Sequence, residues 1–152
     1  MKTMLLSLLI LLSTWANASQ IYGEAMLTKL SSSFGFKDAT NVHLIVYANK
    51  DGEPKTMDLS WETDDMGQPS IHNRILEVTN IKSNSEGRLI YASLPSSGEE
   101  PHIGERLNLQ LIDHSTSVLT IPFKANWEIT VNHGYGWCGT GDSRMELVGN
   151  PL

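Results

Sequence analysis

A chain of 152 residues with 11 basic and 17 acidic side chains carries a formal charge of −6, and its lysines and arginines stand singly rather than in clusters. That pattern excludes nucleic acid and anionic membrane surfaces as natural partners, since both need a concentrated positive patch. With one cysteine, Cys138, no internal disulfide can form, and the length suits one domain whose core holds without such staples.

The first residues, "MKTMLLSLLILLSTWANAS", hold a positive charge at Lys2, an apolar run over residues 4–12, and the small residues Ala16 and Ala18 around Asn17. They predict a signal peptide over residues 1–18, cleaved after Ala18. The apolar run is well short of the ~20 residues that a spanning helix needs, and no second such stretch follows, so membrane insertion is not expected. The expected product is an exported protein, periplasmic or extracellular, with residues 19–152 as a single domain. Those 134 residues carry −7, because Lys2 leaves with the leader and 10 basic side chains then face 17 acidic ones.

Residues 21–36 read two ways: Met26, Leu27, Leu30 and Phe34 fit a helical stripe, whereas residues 21–26 fit an extended segment. A strand followed by the serine-rich loop "SSSFG" is the adopted reading. The stretch "SQIYGEAMLTKL" also has the alternation of an arm exchanged between subunits. Residues 42–48 are an apolar run, then Lys50, Asp51 and Gly52 mark a turn, lengthened by Glu53 and Pro54. Met57, Leu59 and Trp61 then alternate with Thr56, Asp58, Ser60 and Glu62, the period of a half-buried strand.

"DDMGQP" reads as a turn or loop, residues 71–81 as an irregular strand, and "NSEG" as a second turn. Residues 88–94 form a short apolar strand before the ten-residue loop "PSSGEEPHIG". Leu107, Leu109 and Leu111 alternate with polar residues, and residues 118–123, 127–131 and 145–148 supply three more short segments. No amphipathic helix follows the leader. About eight short strands spaced by turn residues suit a sandwich or a barrel. The expected fold is mainly β, an antiparallel β-sandwich of Ig-like or jelly-roll-like form, with Trp61 and Trp127 in its core.

The chemistry-bearing stretch is "VNHGYGWCGTGDSRMEL", residues 131–147. A cysteine nucleophile needs a histidine base and a group that orients it. His133 lies five residues before Cys138 and Asp142 four after, although His43, His72, His102 and His114 are equally eligible. The stretch has a passing similarity to the catalytic segment of L,D-transpeptidases, where histidine, glycine and cysteine adjoin. Here three residues separate Gly134 from Cys138, and the basic residue, Arg144, comes too late. Papain-like peptidases start a helix at the cysteine and place tryptophan after it, whereas Trp137 precedes Cys138 and glycines follow.

The same residues make a tight connection, in which Gly134, Gly136, Gly139 and Gly141 permit close backbone approach and Cys138 is a packed thiol. Tyr135 and Trp137 are then loop aromatics, the residue type that makes contacts on rigid β scaffolds. No Cys-x-x-Cys or His-x-His pair signals a metal, "NKDGE" and Asp64–Asp65 do not reproduce a calcium loop, and no cofactor is expected. The expected function is therefore an exported, non-enzymatic binding protein with a protein or surface-glycan partner, such as an accessory component of a bacterial surface or fimbrial assembly. The binding residues would be Tyr135 and Trp137. The alternative is a small cysteine-dependent envelope enzyme, with Cys138 as nucleophile, His133 as base and Asp142 orienting it.

Overall fold

Runs of alternating apolar and polar residues become strands, because a strand presents successive side chains to opposite faces. A computed structural model describes residues 20–95, 104–119, 125–135 and 142–152. Its strands are β1 (Gln20–Ser32), β2 (Thr40–Ala48), β3 (Pro54–Asp65), β4 (Gln68–Asn84), β5 (Gly87–Ser93), β6 (Glu105–Asp113), β7 (Trp127–Tyr135) and β8 (Ser143–Gly149). Each pairs antiparallel with its neighbours in sequence, and β1 also pairs with β8, so the sheet closes on itself as an eight-stranded barrel.

The expected antiparallel β class and strand number stand, but the expected two-sheet sandwich does not. A sandwich of the Ig or jelly-roll kind needs connections that cross between sheets. Here every described pairing is between consecutive strands or between first and last. Alternation reports which face is buried and is silent on which strand lies beside which. Of residues 118–123, expected as a strand, Val118 and Leu119 are described: they follow a short 3₁₀ turn, His114–Thr116, and are exposed and outside any strand, while residues 120–123 lie outside the described residues. The segment read as a strand, with an exchanged arm as the alternative, is β1, held on one side by β2 and on the other by β8. It completes the barrel of its own chain.

Turn chemistry fixes the register. Between β2 and β3 the Asn49 side chain accepts hydrogen bonds from the amides of Asp51 and Glu53 at 2.9 and 3.0 Å. Between β3 and β4 the turn is only Met66 and Gly67, with φ of 55° and 83°, the pair of positive values that a two-residue hairpin demands. The strands therefore run through most of what reads as a loop in the sequence. Gly87 opens β5 at φ 137°, and a Cβ there would lie 2.2 Å from the Asp113 carbonyl oxygen, so only glycine fits.

Inward residues from every strand fill the barrel: Ala25, Leu44, Met57, Leu59, Leu76, Ile90, Leu109, Leu111, Ile129 and Met145 are all at most 2% exposed. The outward positions of β3, β4, β6 and β7 include Asp58, Glu62, Glu77, Arg106, Asn108, Glu128 and Asn132. The interior is apolar, and the outer wall mixes these charged and amide side chains with exposed apolar ones such as Met26, Ile71 and Ile75. No described helix is long and apolar enough to cross a membrane.

Candidate functional site

Because the strands alternate in direction, the connections after β1, β3, β5 and β7 all gather at one rim, and the segment with His133, Tyr135 and Asp142 is among them. The turn after β1 folds inward there. Its Phe36 is fully buried, with its ring 5.6 Å from Trp61 in an edge-on contact and 5.5 Å from the His133 imidazole. Lys29 holds this turn by donating to the Lys37 carbonyl at 2.7 Å.

Under Phe36 lies a polar cluster drawn from three strands. His133 of β7 has Nε2 2.8 Å from Oε1 of Glu105, which stands on β6. Arg74 of β4 donates through Nε to both Glu105 oxygens, at 3.0 and 2.8 Å. His72, two residues before Arg74, stacks on Trp61 at 5.1 Å and 13°, and its Nε2 meets the Thr63 hydroxyl at 2.8 Å. Burial by itself would raise the Glu105 carboxyl, but the hydrogen bonds and charges of Arg74 and His133 outweigh it and hold that carboxyl below its ordinary value.

The wall explains the pair. The pairing of β4 with β5 covers Glu77 to Asn84, so among the described residues nothing pairs with the β5 side of β4 from Gln68 to Leu76. Arg74 and Glu105 close that gap with side chains where backbone hydrogen bonds are lacking.

The residues singled out in the sequence fare differently. His133 faces inward and is oriented by a carboxylate, that of Glu105. Asp142 is exposed and lies 3.7 Å from Nη2 of Arg106 on the outer surface, so it is not the carboxylate beside the His133 ring. Tyr135 ends β7 opposite Glu105 in register. Trp137 and Cys138 lie outside the described residues. The other histidines scatter: His43 pairs with Glu24 at 2.9 Å, and His114 is at the opposite rim with Nδ1 2.7 Å from the Glu86 carbonyl oxygen. His102 lies outside the described residues.

Arg74, Glu105, Trp61 and His72 escaped the sequence reading as a group. A signal existed for two of them. Glu105 continues the inward series of Leu107, Leu109 and Leu111, and Arg74 shares the inward face of Leu76, so each is a charge on an apolar face and needs a partner. Among the described residues no group of three or more histidine, cysteine or acidic side chains is placed to hold a metal. No family model matches the sequence, and neither a curated protein nor a solved structure matches the chain.

Proposed function

We propose that this is an exported binding protein of the bacterial surface or periplasm, which recognises a protein or glycan partner through the outside of its barrel and the loops of one rim. The observation that carries the reading is the filled interior. Barrels that carry small molecules keep a cavity along the axis, whereas here Met57, Leu59, Leu109, Leu111, Ile129 and Met145 occupy that space. Contact with a partner then falls to the polar outer wall and to the rim segment with Tyr135 and Trp137. A role in surface or fimbrial assembly remains part of the proposal through export and partner binding, without strand exchange by β1. The test is saturable binding of the labelled mature chain, beginning at Ser19, to intact cells of its source. Binding that excess unlabelled protein does not displace would overturn it.

One observation favours a second reading, the cysteine-dependent enzyme. His133 is already oriented by Glu105 at 2.8 Å, half of a base-and-orienter arrangement. In that reading Glu105 takes the orienting part expected of Asp142. Native Cys138 would then label rapidly with a thiol reagent, at a rate titrating below the free-thiol pKa of ~8.5, and Cys138→Ser would abolish activity in a folded protein. Slow native labelling that becomes fast on denaturation leaves the binding reading.

A further inference from the structure

A groove of ≈ 470 Å³ crosses the outer wall from β4 to β7, a size within the range of roughly 300–1,000 Å³ typical of ligand sites. Its construction starts with a β-bulge. The register of β4 against β5 shifts between Val78 and Asn80, so the extra residue, Thr79, spends its hydroxyl on the Tyr91 carbonyl at 3.3 Å. Asn80 is thereby turned outward beside Tyr91, a re-aiming that bulges commonly produce.

Tyr91 pairs across the strands with Asn80 on one side and Gln110 on the other. One step along, Asn108 pairs with Asn132. An aromatic ring thus stands between two amides, with two more amides in the adjoining row. No hydrogen bond to another described residue engages the side chains of Asn80, Asn108, Gln110 or Asn132.

We infer that this groove binds an uncharged, hydroxyl-rich glycan, with the Tyr91 ring as the stacking face and Asn80, Asn108, Gln110 and Asn132 as hydrogen-bond partners. The inference rests on the binding reading above and names its ligand class. Each amide both donates and accepts, as a sugar hydroxyl does, whereas a carboxylate only accepts. Among the described residues no carboxylate lines the groove, and Lys82 is the one charged side chain that does. Lys82 has Nζ 5.9 Å from the Tyr91 ring centroid, at the outer limit of a cation–π contact, and its flexible stem can yield the ring face.

A peptide partner fits less well. At the groove β5, β6 and β7 are hydrogen-bonded on both sides, so its floor offers no edge for strand addition; β4 pairs with β3 only as far as Glu77, and among the described residues its unpaired side from Val78 to Asn84 is the one turned away from β5 and the groove.

The experiment applies the mature chain to an array of uncharged glycans (glucans, mannans, galactans and N-acetylhexosamine oligomers) beside acidic polysaccharides. The best binder is then titrated into ¹⁵N-labelled protein. Retention of an uncharged glycan is expected, with shifts in the side-chain NH₂ signals of the four amides. Tyr91→Ala and the exposed double change Asn108→Ala/Asn132→Ala should each weaken binding at least tenfold while circular dichroism shows a folded barrel, and Lys55→Ala, at an exposed position of β3 outside the groove, should change it less than twofold. A blank array, retention of acidic polysaccharides alone, or binding indifferent to both groove variants would overturn the assignment. If the array is blank while saturable binding to cells persists, the glycan assignment falls and the binding reading stands. If both are absent, both fall.

Discussion

The two rims of the barrel solve the same problem with different materials. At each, an inward-facing acid meets an aromatic cover and a hydrogen-bond donor from a distant strand. At the rim where β1 begins, Asp113 is 3% exposed and fully partnered: Tyr22 donates to one oxygen at 2.6 Å, and Ser115 donates to the other through its amide at 3.0 Å and its hydroxyl at 2.6 Å. Trp127 packs beneath, against Gly23, where a Cβ would lie 2.6 Å from the indole. At the other rim Glu105 is less buried, with 21% of its side chain exposed, and it faces Arg74 and His133 across a stretch of wall that β5 does not reach. The acid of the first rim is held by a backbone amide and neutral hydroxyls, with the Arg88–Glu53 pair outside it, and the acid of the second by long charged side chains. Charged pairs near solvent contribute less than buried, fully satisfied hydrogen bonds, so the second rim should be the softer end.

The largest expected effect belongs to the layer that both rims share. Leu109 is 2% exposed in the middle of β6, and Leu109→Ala should destabilise by ~2–5 kcal/mol through lost burial and the cavity left behind. Chemical denaturation would check this, and a loss below ~1 kcal/mol would mean that the middle layer does not couple the two ends. Asp113→Ala comes next, at about 1–3 kcal/mol, because it strands the Tyr22 hydroxyl and the Ser115 donors. Glu105→Gln should be milder, about 0.5–1.5 kcal/mol, since its partners retain access to water. A reversed order of the last two would break the comparison.

How much of this was legible in the sequence follows from what alternation encodes. Met57, Leu59, Trp61, Leu107, Leu109 and Leu111 declare their inward face by spacing alone, and all six are buried in one core. Closure was not legible, because the pairing of β1 with β8 joins Thr28 to Val148 and Ser32 to Met145, over a hundred residues apart, and no local pattern records it. The same distance hid the candidate site. His133 and Glu105 are 28 residues apart, and Arg74 lies a further 31 from Glu105, so only the register of β4, β6 and β7 brings them together. Sequence proximity favoured Asp142 for His133, nine positions before it, yet Asp142 lies on the outer surface beside Arg106 while the alternation of β7 turns His133 inward. The outer groove was hidden for a related reason: a bulge at Thr79 and four amides on three different strands have no common motif in one dimension.

The smallest effects are the pH responses, and they separate the rims most cleanly. Glu105 has its carboxyl lowered in the fold, so its contribution is present above the unfolded value of about 4.3 and is lost as pH falls through the folded value. Tyr22 is the opposite case: burial first, then the hydrogen bond to Asp113 and its charge, push the phenol up to about 12, against a smaller opposing influence from Arg88. Its contribution is present below the unfolded value of about 10 and is lost as pH rises towards about 12. Thermal unfolding of Glu105→Gln should therefore differ most from the parent chain near neutral pH and converge on it below pH ~4, whereas Tyr22→Phe should converge only above pH ~10. Glu105 and Asp113, the partner of Tyr22, are eight residues apart along β6, about 26 Å at a rise of ~3.3 Å per residue, so the double variant should show the two losses added within ~0.5 kcal/mol. Convergence of both variants on the same side of neutrality, or strong non-additivity, would show that the two ends titrate as one unit and that their different construction has no energetic consequence.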